Sequence, residues 1–143
     1  MNAKAAIVEE ITIAAPAARV FAALTDPAQR RRWWGGSRFQ VLAAESDLRV
    51  GGRWGMSFEA YGRRSSVGGV YREVEPPRRL AFTWLPDWYE NPSETLVTFE
   101  LREESGRTWV RLTHSGLVSE ADRASHRGWP DILTWLQAYA EAV

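Results

Sequence analysis

The sequence contains no cysteine. Disulfides, thiolate metal sites and cysteine nucleophiles are therefore excluded. It has only two histidines, His114 and His126, so a transition-metal site has little to build on. No metal and no cofactor is expected. Net charge is missing as well: 18 Lys and Arg balance 18 Asp and Glu. That balance argues against a nucleic-acid partner or an anionic membrane surface. No apolar run approaches membrane-spanning length, and the opening MNAKAAIVEEITI lacks the apolar stretch of a signal peptide. A cytoplasmic location without membrane insertion is the expectation. Gly-rich phosphate loops, nucleophile elbows and zinc signatures are absent too.

What the chain does have is tryptophan. Eight are present, and three groups sit beside glycine: Trp33-Trp34-Gly35-Gly36, Gly51-Gly52-Arg53-Trp54 and Gly128-Trp129. Glycine lets the backbone turn or approach closely, while tryptophan adds a large rigid apolar surface with one polar tip. The pairing suggests aromatic walls around a cavity. The 143 residues fit one domain, 1–143, and a chain of that size buries roughly 68–70% of its unfolded surface.

The periodicity supports an α+β order. Ile7 to Ile13 alternates as a strand with Ile7, Glu9, Ile11 and Ile13 on one face. Pro16 suits a helix start, and Val20, Phe21 and Leu24 share helical spacing to Leu24. Asp26 is the expected N-cap and Pro27 the N1 residue of a second short helix running to about Trp34. A period of two follows. Phe39, Val41 and Ala43 share a face; then Trp54, Met56 and Phe58; then Ser66 to Val74, ended by Pro76-Pro77. Leu80, Phe82 and Trp84 alternate next, then Val97, Phe99 and Leu101, then Val110, Leu112 and His114. Residues 85–93 read as a loop carrying Trp88 and Tyr89. Ser119 starts a final helix whose apolar stripe holds Trp129, Ile132, Leu133, Leu136, Ala140 and Val143. Pro130 predicts either a kink or a short helix followed by a longer one. One strand, two short helices, six further strands and a terminal helix imply an antiparallel meander whose concave side buries the helix.

These landmarks together resemble a known superfamily. They are Ala15-Pro16 before Val20-Phe21, Leu24-Thr25-Asp26-Pro27, Trp33-Trp34, residues 47–54 (DLRVGGRW) and Gly69-Val70-Tyr71. Pro77, Leu80 to Trp84, Leu112-Thr113-His114 and His126-Arg127-Gly128-Trp129 complete the set. The ordered series, from about Ile7 to Tyr139, resembles the SRPBCC (START-like) superfamily, in the branch named for the activator of heat-shock protein 90 ATPase. The resemblance implies a helix-grip fold: a curved antiparallel sheet of six to seven strands around a long C-terminal helix, with two short helices after the first strand. It implies a cavity between helix and sheet that binds lipids, polyketides or other apolar molecules. The branch name is not itself a function.

Trp33 and Trp34 are expected at the cavity mouth or as a plug between helices and sheet. Trp54, Met56, Phe58, Phe82, Trp84, Phe99, Leu112, Trp129 and Leu133 are either pocket wall or plain core. His114 shares a face with Val110 and Leu112 and is a polar contact or a satisfied core histidine. Because the resemblance makes the first and last strands neighbours, Glu9 and His114 are the candidate acid–base pair, unless a bulge turns Glu9 outward. His126 reads as a cap or surface residue, and Arg30-Arg31-Arg32 as a solvated helix face. Arg49 and Arg53 are either a rim clamp for a carboxylate or surface partners of Glu45 and Asp47.

Three functions remain open. The first is binding of an apolar or aromatic small molecule in a pocket on the order of 300–1,000 Å³. The second is a polyketide cyclase or aromatase, which needs an ionisable group facing that pocket. The third is a protein-interaction module with Trp88, Tyr89 and Trp109 on a surface patch, which a homodimer would hide.

Overall fold

A computed structural model describes residues 6–87, 94–117 and 119–142. Seven strands and four helices follow in chain order: β1 (Ile7–Ile13), α1 (Ala17–Thr25), α2 (Pro27–Trp33), β2 (Gln40–Ser46), β3 (Arg53–Ala60) and β4 (Arg63–Glu75). They continue with β5 (Arg79–Pro86), β6 (Thr95–Glu104), β7 (Arg107–Ser115), α3 (Glu120–Ala124) and α4 (Trp129–Glu141). The strands form one antiparallel sheet in the order β1-β7-β6-β5-β4-β3-β2. Consecutive strands from β2 to β7 are neighbours, and β1 closes on β7. β1 and β2 therefore lie on opposite edges, and α1 and α2 carry the chain across the sheet between them. The result is the α+β, helix-gripping arrangement expected from the sequence.

Local signals account for the helices. Asp26 caps α2 by accepting from the Ala28 N–H at 3.0 Å, with Pro27 in its first turn. Ser119 caps α3 through the Asp122 N–H at 3.0 Å. The terminal helix is two pieces, α3 and α4, with Pro130 in the first turn of α4, where its missing N–H costs nothing. Trp129, Leu133, Leu136 and Ala140 are the buried stripe of α4, at the 3.6-residue spacing that presents one face to the sheet.

The expected alternation fails in β2. The register shifts between Val41 and Ala43, so Val41 pairs with Phe58 while Ala44, not Ala43, pairs with Met56. An extra residue flips the faces beyond it. Val41 is buried, Ala44 packs against the core and Ala43 is exposed.

Arg30 is also unlike its expectation. Arg31 and Arg32 are solvated, but Arg30 is 3% exposed. Its Nη2 donates to the Leu24 carbonyl at the end of α1, and its guanidinium lies 5.1 Å over the Trp54 ring. A helical run presents residues to all sides, so three consecutive arginines cannot share one face. Burial lowers the pKa of Arg30 from its usual value, with the Tyr71 hydroxyl acting in the opposite sense. Arginine nonetheless remains protonated.

Candidate functional site

The site grows out of the aromatic core at the end of the sheet nearest α3. Trp84 on β5 is its centre. Its ring centroid lies 5.6 Å from Trp54, 6.1 Å from Trp34 and 5.1 Å from Trp129, in tilted arrangements that aromatic quadrupoles favour. Alternation along β5 turns Phe82 and Trp84 inward, and the start of α4 lowers Trp129 onto them. Trp34 follows α2 and meets Trp129 edge-on at 6.0 Å.

Two histidines are threaded into this cluster. His114 on β7 is fully buried and His126, between α3 and α4, is 4% exposed. Their rings meet at 4.8 Å, nearly perpendicular. Each accepts from an indole. Trp129 Nε1 donates to His114 Nδ1 at 3.1 Å, and Trp84 Nε1 donates to His126 Nε2 at 2.9 Å. An indole only donates, so these bonds fix the neutral tautomers. His114 then carries its proton on Nε2 and donates it to Thr95 Oγ1 at 2.8 Å; Thr95 in turn donates to the Trp84 carbonyl at 3.0 Å. His126 carries its proton on Nδ1, 2.8 Å from the Asp122 carbonyl.

Burial foremost, and the neighbouring His126 second, push the His114 pKa down to about 3. Burial also lowers that of His126, against an opposing pull from the Asp122 carbonyl and carboxylate. Both imidazoles are thus held neutral in a closed polar chain.

A cavity of about 180 Å³ opens beside this chain. Among the described residues its lining is Trp34, Phe39, Phe58, Val67, Trp84, Ser125, His126, Gly128, Trp129 and Ile132. Ser125 and Gly128 are exposed and mark its rim. The segment from Trp34 to Phe39 forms another side. There Gly36, at φ +55°, lies against the Trp135 indole so closely that a Cβ would sit 2.3 Å from its Nε1. An ion pair between Arg38 and Asp131, at 2.7 Å, ties this segment to α4. Phe39 contacts Phe58 at 5.0 Å and Trp135 edge-on at 5.7 Å.

Of the residues singled out from sequence, Trp34, Phe58, Trp84 and Trp129 lie on the cavity wall. Trp33, Trp54, Met56, Phe82, Phe99, Leu112 and Leu133 lie in the surrounding packed core and are not among its lining residues. Trp33 and Trp54 spend their indole N–H groups on the Ala23 and Thr83 carbonyls. His114 sits behind Trp84 and Trp129 rather than on the wall.

Glu9 and His114 share a sheet face but are not paired. Glu9 stands opposite Leu112, and Ile7 stands opposite His114. Both His114 nitrogens are already engaged elsewhere. His126, read from sequence as a cap or surface residue, is instead a buried member of the site. The signal that exposes it is structural: a buried indole on β5 needs an acceptor, which α3–α4 supplies.

Away from the cavity, Trp109 lies half-buried on the outer face of the sheet. Its N–H donates to Glu10 at 3.1 Å, and Arg102 covers its ring at 4.8 Å. Trp88, Tyr89 and Val143 fall outside the described residues. Arg49 pairs with Asp47 at 2.9 Å on the surface. No group of three or more His, Asp or Glu among the described residues is placed to hold a metal ion. Nor is any described helix long and apolar enough to cross a membrane.

Solved structures share this architecture. A Chromobacterium violaceum protein superposes with a TM-score of 0.87 at 28% identity, covering 98% of this chain and 99% of that one. An AHSA1-like protein from Aeromonas hydrophila gives 0.77 at 28% identity, covering 95% and 93%. CalU16 from Micromonospora echinospora gives 0.70 at 28% identity, covering 96% and 76%. No curated protein matches the chain in sequence. Residues 14–141 match the family described as Activator of Hsp90 ATPase homolog 1-like protein, and with the seven-stranded sheet, the gripped helix and the shared architecture in place, the chain belongs to that family.

Proposed function

We propose that the protein binds an apolar small molecule in the cavity between the sheet and the α3–α4 junction. The observation that carries this reading is the composition of the wall. Among the described residues, five aromatic rings, Val67 and Ile132 line about 180 Å³, and the polar side chains are those of Ser125 and His126. Apolar pockets with few polar groups are the usual form of a small-molecule site. The volume is below the 300–1,000 Å³ range expected from the sequence because Trp34, Trp84 and Trp129 fill part of the space under α4.

Ligand binding is favoured over the cyclase reading by the state of the two histidines. A general base needs a free lone pair within reach of the substrate. His114 is screened from the cavity, and the lone pair of His126 is occupied by the Trp84 N–H. The test is a titration of the protein with toluene, naphthalene and decanoate, followed through its indole N–H resonances by NMR. The Trp84 and Trp129 resonances are expected to move. If neither moves for any of the three, the reading fails.

A further inference from the structure

We propose that the cavity selects a single-ring aromatic molecule with a polar group at one end only, that end resting at the rim beside Ser125. This rests on the reading of the cavity as a ligand site and goes beyond it by excluding lipid- and polyketide-sized ligands.

Size is the first argument. An apolar cavity of about 150 Å³ takes benzene, and this one measures about 180 Å³. Drug-sized ligands need several hundred. The wall cannot easily grow, because Trp84 and Trp129 are fixed by hydrogen bonds to buried histidines and Trp34 packs against both.

Polarity is the second. Within the cavity the polar atoms of the described wall are already committed. The Trp84 N–H is spent on His126 Nε2, the Trp129 N–H on His114 Nδ1, and His126 Nδ1 on the Asp122 carbonyl. A hydroxyl pushed inward would be desolvated and would meet no uncommitted partner among the described residues. At the rim the situation reverses. Ser125 is exposed, and its hydroxyl, which donates to the Asp122 carbonyl at 2.9 Å and lies 3.1 Å from the His126 Nδ1–H, still has a lone pair to offer alongside solvent. The cavity is therefore one-ended: an aromatic body inside, a polar group outside.

The test compares 4-ethylphenol with 4-hydroxybenzyl alcohol, which differ by a methyl exchanged for a hydroxyl, and adds palmitate, all by isothermal titration calorimetry. The expected result is that 4-ethylphenol binds, the alcohol binds tenfold to a hundredfold more weakly, and palmitate gives no cavity-dependent heat. Val67→Phe and Ile132→Phe, each filling the cavity from a different wall, are both made, and their folding is checked by circular dichroism. Whichever folds is expected to lose 4-ethylphenol binding. Equal affinity for the two phenols, or binding undiminished in the folded filled variants, overturns the proposal. Palmitate binding that the filled variants abolish, with no binding of 4-ethylphenol, overturns it while leaving the ligand site standing. If none of the three binds, and toluene, naphthalene and decanoate leave the indole resonances unmoved, the ligand site itself falls as well.

Discussion

The indole N–H of Trp84 donates to Nε2 of His126 at 2.9 Å, joining residues 42 positions apart. The bond fastens the α3–α4 junction to the middle of the sheet at the point where the cavity begins. Replacing His126 with alanine leaves that N–H buried without its acceptor and opens space beside Trp129. The combined cost is expected to be about 2–4 kcal/mol, read as a lowered urea midpoint. A loss below about 1 kcal/mol would mean the junction is held by other contacts.

Acid should weaken the fold through His114. Its pKa in the folded protein is about 3, against an ordinary 6.5. As pH falls through this window the unfolded chain takes up a proton that the folded one refuses, so stability declines from about pH 6.5 downward and this contribution is flat above it. The titratable groups bearing on the pair are His114 and His126 themselves and Asp122. Between pH 6.5 and 4.5 the loss from His114 is expected to reach about 2–3 kcal/mol. Urea denaturation across that range should therefore show a shallower pH slope in His114→Gln than in the parent, and equal slopes would refute the assignment.

Arg30 separates charge from packing. Its guanidinium is buried, bonded to the Leu24 carbonyl, and its Nε and Nη1 have no hydrogen-bond partner among the described residues. Removing such a charge while keeping the volume is often neutral or stabilising. Arg30→Met is expected to change stability by less than about 1.5 kcal/mol, whereas Arg30→Ala, which leaves a void under Trp54, should cost about 3 kcal/mol or more. Chemical denaturation of the two variants decides. If methionine is as costly as alanine, the charge itself is needed.

Gly36 is the fourth point of test. An alanine there must hold φ near +55° and displace the Trp135 indole, which also braces Phe39 on the cavity wall. The expected cost is about 2 kcal/mol or more, accompanied by weaker ligand affinity. By contrast Gly62, whose Cβ would meet open space but which also has positive φ, should cost only about 1 kcal/mol when changed to alanine.

Much of the fold was legible because its signals are local. Asp26-Pro27, the period of two from Trp54 to Phe58, and the stripe from Trp129 to Ala140 each specify an element within a few residues. What resisted reading depends on partners distant in sequence. The bulge in β2 shows only when Ala44 is seen opposite Met56. Arg30 is one of three similar residues until α2 is laid on Trp54. Trp34, Phe58, Trp84 and Trp129 were recognisable as apolar surface, but not their division from Phe82 and Phe99, since that depends on where α4 leaves space. His126 carries no periodic signal, and its role follows from Trp84 across the sheet.

The placement of β1 beside β7 has a consequence in time. Thr12 faces Trp109, and the Trp109 N–H reaches Glu10 from 99 positions away. During synthesis β1 leaves the ribosome with no neighbour to pair with until β7, the last strand of the sheet, has appeared, whereas β3 to β7 fold back on their predecessors as they emerge. Closing so long a loop is slow relative to forming hairpins. The meander is thus expected to assemble first and β1 to dock late, so that the grip on α4 tightens only after β7 has formed.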